Sequence, residues 1–391
     1  LAAVVIALGI LSLRGGFSFA RYLRQELARP HAEFTPFVSV IAPCRGLEAG
    51  LQENIAALFR QRYPTYEIIF VTDNADDPAI TLIDEEVQEQ VAARVVVAGP
   101  AVDRGQKVHN LTAAVAHIPT QSEVIVFVDT DARPNADWLR SLVAPLGDAK
   151  LGATTGYRWF IPNSGGLSSQ LRSVWNASIA SALGERTDKN FCWGGSTAIR
   201  RSTFAELDLP DRWRGTVSDD FALTNLLKEA KLPIHFVPQC LVPSVGDCSA
   251  RELIEFTNRQ LKITRVYAPH LWRPLLLGSL LFCLVFFGGT ALVVARALVG
   301  ASYLPALLML VVIYLLGAAK AYLRFKAVML ALAGAKPRLS QSLWAHLILW
   351  PIASALYLAN AITAGFSRRI RWRGITYELK SASEAVIIAR D

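Results

Sequence analysis

Cysteine pairs and histidine clusters are what this sequence lacks most plainly. Its 391 residues hold five cysteines (Cys44, Cys192, Cys240, Cys248, Cys283) without a CxxC pair, and six histidines at no ligand spacing. A zinc cage or a disulfide framework is thereby disfavoured, and free thiols suit a reducing, cytoplasmic setting. Serine-hydrolase chemistry is absent too. FCWGGSTAIRRSTF (191–204) contains no GxSxG elbow, and no histidine and acid stand in the order a triad needs. No small-residue cleavage site follows the first apolar run, LAAVVIALGILSL (1–13), and the chain opens on Leu. That run reads as a truncated N-terminal anchor rather than a signal peptide.

Apolar residues, by contrast, are in excess at 52%. They concentrate in 1–13 and in most of 275–295, 302–319 and 343–366. Since roughly 20 helical residues cross a hydrocarbon core of about 30 Å, the last three are long enough to span or enter a membrane. The formal charge of +8 suggests nucleic acid only until its placement is seen. Arg14, Arg21 and Arg24 follow the first run, Lys320, Arg324 and Lys326 the third, and Arg368, Arg369, Arg371 and Arg373 the last. This positive-inside pattern predicts a multi-pass membrane protein whose middle is cytoplasmic, with the bilayer rather than nucleic acid as partner. Three full crossings would leave the basic C-terminus outside. Either one segment is re-entrant, with Pro351 as its break, or 321–335 adds a short pass. The organisation expected is an anchor at 1–24, a catalytic domain at 25–250, an interfacial amphipathic segment at 251–274, membrane helices at 275–366 and a basic cytoplasmic tail at 367–391.

Between these segments, short runs rich in Val and Ile alternate with helix-like stretches: FVSVIAP, LQENIAALFRQ, YEIIFVTDN, AITLIDEEVQEQV, ARVVVAG, LTAAVAHI, EVIVFVDTD. The pattern predicts βαβ units around a largely parallel sheet, and ligands bind beyond the carboxyl ends of such strands. Three runs end there in polar residues: APCRG (42–46), VTDNADD (71–77) and VDTDARP (128–134).

Each of these has a structural reading and a chemical one. Asp129 and Asp131 form a D-x-D after an unbroken apolar run, and the pair can share a hard divalent ion, Mg2+ or Mn2+; a solvated Asp-Pro turn is the alternative. Asp73 is placed to orient a nucleotide, whereas Asp76 and Asp77 read as helix caps. Lys107, at the helix entrance of DRGQKVHNLTAAV, suits a diphosphate, or is a surface lysine. Gly194 and Gly195 permit close backbone approach. In VSDDFALTNLLKEA, Ser218 caps a helix whose first turn holds Asp219 and Asp220, a favourable place for acids in any case and also for an ionised base. FTNRQLKITRVYAPHLW (256–272) is basic and aromatic, either lying at the membrane interface or closing over a ligand.

Taken in order, these motifs resemble the inverting family 2 glycosyltransferases and, more closely, their ceramide glucosyltransferase (family 21-like) branch, over about residues 37–380. VSVIAPCRGLE is similar to the first strand and loop, VTDNADDPAI to the first aspartate motif and VHNLTAA to a short asparagine-leucine stretch. VDTDARP resembles the second aspartate region, GGSTAIRRSTF the acceptor-side loop, SDDFALTNLLKEAKLPIHF the motif whose last acid is the base, and IRWRGITYEL a C-terminal Trp-Arg motif. In FTNRQLKITR, Arg259 matches the family's basic pattern, while Lys262 and Ile263 replace its Arg and Trp; a full Asp-x-Asp stands where a lone acid is usual in that branch.

The resemblance implies an α/β fold: a GT-A, Rossmann-like domain binding a nucleotide sugar, plus transmembrane helices. It implies transfer of a hexose, glucose foremost, from a UDP-sugar donor to the hydroxyl of a membrane lipid such as ceramide. Asp220 would be the general base, Asp131 the chief metal ligand and Asp129 its support. Asp73, Lys107, Gly195, Asp219, Arg259 and Lys262 would contact the donor. A processive polysaccharide synthase uses the same acids, and a scaffold that merely binds nucleotide is the non-enzymatic alternative.

Overall fold

The computed structural model describes residues 1–30, 32–48, 50–87 and 91–390. In chain order its elements begin with α1 (Ala2–Leu27), β1 (Val38–Pro43), α2 (Leu51–Phe59), β2 (Tyr66–Thr72), α3 (Ala79–Glu86), β3 (Ala92–Val97), α4 (Gln106–Val115) and β4 (Val124–Val128). Next come α5 (Trp138–Val143), β5 (Ala153–Ile161), α6 (Leu167–Ala180), β6 (Ser196–Arg200), α7 (Arg201–Glu206), α8 (Leu209–Arg212), α9 (Asp219–Glu229) and β7 (Ile234–Val245). The remainder is α10 (Ala250–Tyr267), α11 (Pro269–Leu298), α12 (Leu304–Ala331), α13 (Lys336–Ser340), α14 (Leu343–Ile348), α15 (Trp350–Phe366), β8 (Arg369–Trp372), β9 (Ile375–Ser381) and β10 (Glu384–Arg390). Of the helix-like stretch expected after β2, residues 88–90 lie outside the described residues.

Two compact units emerge. The first to consider combines Gln25–Trp159, Ala182–Ser244 and the chain from Arg369 onward. Its seven-stranded sheet has the order β3-β2-β1-β4-β6-β5-β7, in which β3, β2, β1 and β4 run parallel and β6 is antiparallel to both β4 and β5. This is the α/β class expected from the sequence. Strands β2 and β4 are buried throughout, which is why they read as continuous apolar runs rather than alternating ones. Helix α4 lays Val108, Leu111 and Ala114 against Ile41, Ile69 and Phe127 of the sheet. The three-to-four-residue spacing of its apolar side chains makes that face, and each large side chain so buried contributes about 1.5–3 kcal/mol.

The stretch after Arg369, expected as a basic tail, is folded: β8, β9 and β10 form an antiparallel sheet. Trp372 pairs with Ile375, leaving Arg373 (φ 48°) and Gly374 (φ 75°) as a two-residue turn with both φ positive. Such a turn matches the twist of a hairpin, and it tolerates arginine poorly, so the arginine points to a use.

The other unit combines Leu1–Arg24, Phe160–Ser181 and Val245–Arg368. Among the described residues, three helices, α1, α11 and α12, are long and apolar enough to cross a membrane. Close packing joins α1 to α12. A Cβ at Gly9 would lie 3.1 Å from Leu316, and one at Gly16 would lie 3.4 Å from Lys320, so small residues let the helices approach. Of residues 321–335, the candidate for a separate pass, 321–331 simply continue α12. The 343–366 segment divides into α14 and α15, and Pro351 falls in the first turn of α15, where a missing N–H costs nothing. Helix α10 begins with a full capping box between Ser249 and Glu252 and buries Leu253 and Leu261 with Trp175, Ala353 and Leu356.

Candidate active site

Strand β1 lies between β2 and β4, so the chain leaves β1 toward one side of the sheet and returns on the other. The crevice beyond the carboxyl ends of β1 and β4 is therefore a topological switch point, where ligands bind in open α/β sheets. Arg45 follows β1, Asp73 follows β2, and Asp129 and Asp131 follow β4. The loop after β4 is held firmly. Ala132 N–H donates to Asp129 O at 3.1 Å, Asn54 Nδ2 donates to Thr130 O at 2.9 Å, and Thr130 Oγ1 donates to Pro43 O at 3.2 Å.

Two helix N-termini complete the arrangement, and glycines bring them together. Gly105, ahead of α4, donates its N–H to Thr216 O at 2.8 Å, and a Cβ there would lie 2.9 Å from Val217 Cα. This docks the entrance of α4 on the turn that starts α9. Lys107 then lies 2.7 Å from Asp129 and 3.3 Å from Asp219. A Cβ at Gly194 would fall 2.2 Å from Asp219 Oδ2 and 2.8 Å from Lys107 Nζ, while the space beside Gly195 is filled by the ring of Trp193. The glycine pair thus gives room to the ion cluster and to an indole.

Arg158 is the cluster's second cation. From β5 it donates to Asp131 at 2.7 Å and to Asp129 at 3.0 Å, with its guanidinium 4.7 Å from the Trp193 ring centroid. Burial alone would depress both cations, but the surrounding carboxylates outweigh it and hold Lys107 and Arg158 protonated. For Asp129, burial pushes the carboxyl up, yet Lys107 and Arg158 together bring it below its ordinary value.

Asp219 behaves differently. Burial, only partly offset by Lys107, raises its pKa to about 6. Because the folded value lies above the ordinary 3.8, the associated stability is complete below about pH 4 and is lost as pH rises through 6. In EDTA and without donor, Asp219→Asn should therefore melt progressively higher relative to the parent as pH rises from 4 to 7, by at most about 3 kcal/mol in stability. A pH-independent difference between the two melting curves would contradict this.

Asp220 is the half-buried neighbour. Its Oδ1 accepts from Phe221 N–H at 2.7 Å and from Ser218 Oγ–H, while Ser218 also caps α9 by accepting from Phe221 N–H. Asp73 faces Arg45 at 3.5 Å. Asp77 accepts from the amides of Gly46 (2.9 Å) and Ala79 (2.9 Å), tying the first amide of α3 to the loop after β1, while the N-cap position itself is Pro78 rather than Asp76 or Asp77. Arg259 and Lys262 belong to the other unit, on α10; Arg259 lies over Phe256 at 5.6 Å and Lys262 reaches Ser367 Oγ at 3.5 Å.

Several residues join the site without having been singled out as sequence candidates. Arg158 and Trp193 are two. Arg373, from the strained turn, donates to Arg45 O at 2.8 Å and pairs with Glu48 at 2.6 Å. Tyr377 of β9 accepts from Gln106 N–H at 3.1 Å, satisfying a free amide at the start of α4. A lone arginine in the buried run ATTGYRWFI was the available signal for Arg158, and the Trp-Arg motif the signal for Arg373.

Among the described residues, no three His, Cys, Asp or Glu side chains form a metal cage. The D-x-D still fits a divalent cation. Asp131 Oδ1 is buried with no hydrogen-bond partner, a costly state for a carboxylate oxygen unless a cation completes it. Arg158 meanwhile occupies the opposite side of both carboxylates. Removing it should expose this relation: Arg158→Met is expected to lose about 3–5 kcal/mol of stability, as when one partner of a buried pair is deleted. Mn2+ should then raise its melting temperature more than it raises that of the parent. Equal metal responses would count against a metal at the D-x-D.

The parallel-dominated sheet with its switch-point crevice and strand-end carboxylates places the chain in the α/β class with a ligand site at one edge of the sheet. Its sequence profile is that of "Glycosyl transferase family 21", which matches residues 1–385; the chain belongs to this family. It is similar to Ceramide glucosyltransferase 3 of Caenorhabditis elegans, 31% identical over 99 residues, covering 25% of this chain and 21% of that protein. Ceramide glucosyltransferase 1 of the same organism is 28% identical over 81 residues, 20% of this chain and 17% of the relative. The chain thus spans about a fifth of the length of the curated relatives it matches. Among solved structures, it is similar to the mannosyltransferase PcManGT from Pyrobaculum calidifontis in complex with GDP-Man and Mn2+ (TM-score 0.47, 17% identity, 93% of this chain and 99% of that one).

Proposed function

We propose that this family 21 glycosyltransferase is an inverting enzyme of the membrane that transfers a hexose, glucose foremost, from a UDP-sugar to the hydroxyl of a membrane lipid such as ceramide. The observation that carries the reading is the Lys107–Asp129–Asp131–Asp219 cluster at the switch point, with one carboxylate oxygen of Asp131 left for a cation.

Asp131 and Asp129 would hold Mg2+ or Mn2+, which when bound supplies charge neutralisation to the diphosphate. Asp73, paired with Arg45, orients the uridine, and Lys107 at the entrance of α4 faces the diphosphate with the backbone N–H groups of that helix. Gly195 gives Trp193 its place beside the donor, and Asp219 orients Lys107. Asp220 takes the proton of the lipid hydroxyl as its oxygen bonds to the anomeric carbon. The bond from that carbon to UDP breaks with its electron pair leaving on the diphosphate, and the configuration inverts. The family resemblance would assign Arg259 and Lys262, on α10 of the other unit, to the donor as well. In this proposal residues 1–24 and 275–366 anchor the chain, 251–274 lies at the interface, and 25–250 works in the cytoplasm together with the folded stretch from 367 on.

The decisive experiment incubates the purified protein in detergent with labelled UDP-sugars and a lipid extract, and identifies the product by mass. A single-hexose lipid supports the proposal. A polymer would establish a processive synthase instead, and binding of donor without transfer or hydrolysis would establish a scaffold.

A further inference from the structure

The helical unit encloses a cavity of about 310 Å³ whose walls are largely apolar, contributed by α1, α6, α11, α12 and α15. Two cations line it, Lys320 and Arg324 of α12. Four residues apart, they lie on one face of the helix. Among the described residues, no carboxylate lines the cavity. Lys320 Nζ donates to Ser12 Oγ at 2.6 Å, a neutral partner that balances no charge. Arg324 is only 5% exposed and its Nε has no hydrogen-bond partner. A buried guanidinium with an open Nε–H and, among the described residues, no counter-ion is costly, and it does not reach water by extending along the helix.

The surroundings sharpen the imbalance. The segments forming this unit contain sixteen Lys and Arg but only three acids, Asp247, Glu252 and Glu255, all near the start of α10. At 1.5 Å per residue, Lys320 and Arg324 lie about 24 and 30 Å along α12 from Leu304. With α12 read as crossing the membrane, that depth is the boundary between a hydrocarbon core of about 30 Å and the headgroups, on the side where Lys326 follows.

We propose that this cavity is a binding site for an acidic phospholipid, with its acyl chain against the apolar wall and its phosphate on Lys320 and Arg324. The guanidinium's planar fork suits a phosphate through paired N–H···O bonds, and the ammonium adds a point charge. The proposal rests on reading α12 as a membrane span and is independent of the catalytic assignments.

The test is native mass spectrometry of the full chain exchanged into phosphatidylglycerol or phosphatidylcholine micelles. The parent protein is expected to retain phosphatidylglycerol at least about tenfold over phosphatidylcholine, as two charges near the headgroups require. Lys320→Met with Arg324→Met should abolish that preference while keeping the parent's melting behaviour. Should the double variant misfold, Arg324→Lys alone, which keeps the charge and loses the fork, should weaken retention without equalising the two lipids. Equal retention of both lipids by the parent, an unchanged preference in a folded double variant, or an unchanged preference in Arg324→Lys would overturn the site. So would millimolar inorganic phosphate displacing the preference entirely, since the ligand would then be a free anion and not a lipid.

Discussion

Replacing Asp220, the proposed general base, by asparagine is expected to lower turnover by about 10² to 10⁴ while leaving UDP affinity within a few-fold of the parent, because a residue in that role contributes in the transition state and not to donor binding. Geometry favours the choice of this acid over its neighbour. Asp219 is buried and engaged with Lys107, so an incoming hydroxyl has no free approach to it. Asp220 is half-buried, and Ser218 and the Phe221 amide fix the carboxylate through one oxygen. Asparagine can still accept from Phe221 N–H, so the helix start survives and only the proton acceptor is lost. Asp219→Asn gives the contrast: with Lys107 in its proposed role, the main effect is expected on KM for the donor and on the pH course of stability. Parent-like turnover in Asp220→Asn would remove that residue from the proton transfer.

These expectations depend on what can be read locally along the chain. Asp129, Asp131 and Asp73 are legible because an apolar run that ends in acids is a strand end in any α/β arrangement, and Lys107 and Asp220 because helix entrances carry their own signals. Arg158 is different. Its approach to the D-x-D requires β6 and β5 to follow β4 in the sheet, out of sequence order, and nothing in GYRWF states that order. Arg373 is remoter still, meeting the Arg45 loop from 328 residues away through a turn whose positive φ values only the backbone reveals. The charge balance of the site was thus half visible: acids announce themselves at strand ends, whereas the cations that answer them come from long-range pairing. In the helical unit the same limit applies. Hydropathy falls at Lys320, yet α12 runs on to Ala331, because a helix continues wherever its neighbours bury it.

Asp131→Asn is expected to remove most metal-dependent turnover. Of the described carboxylates facing the switch point, Asp131 alone has a buried oxygen without a partner among the described residues; Asp129 is committed to Lys107 and Arg158, and Asp219 to Lys107. Stabilisation of developing charge by a metal is worth several kcal/mol, and at 1.36 kcal/mol per decade its loss corresponds to about 10² to 10⁴ in rate. The amide fills the same volume and can still accept from Arg158, so the fold should remain intact. It cannot supply the charge that draws a divalent ion away from water. Titration with Mn2+ by calorimetry should show binding in the parent and none at the same concentrations in Asp131→Asn, whereas Asp220→Asn should bind the ion like the parent. That pair of outcomes separates the two acids: loss of metal binding with loss of turnover in one, loss of turnover alone in the other. If Asp131→Asn binds Mn2+ with undiminished affinity, the metal is held elsewhere and the D-x-D serves chiefly to keep Lys107 and Arg158 in place.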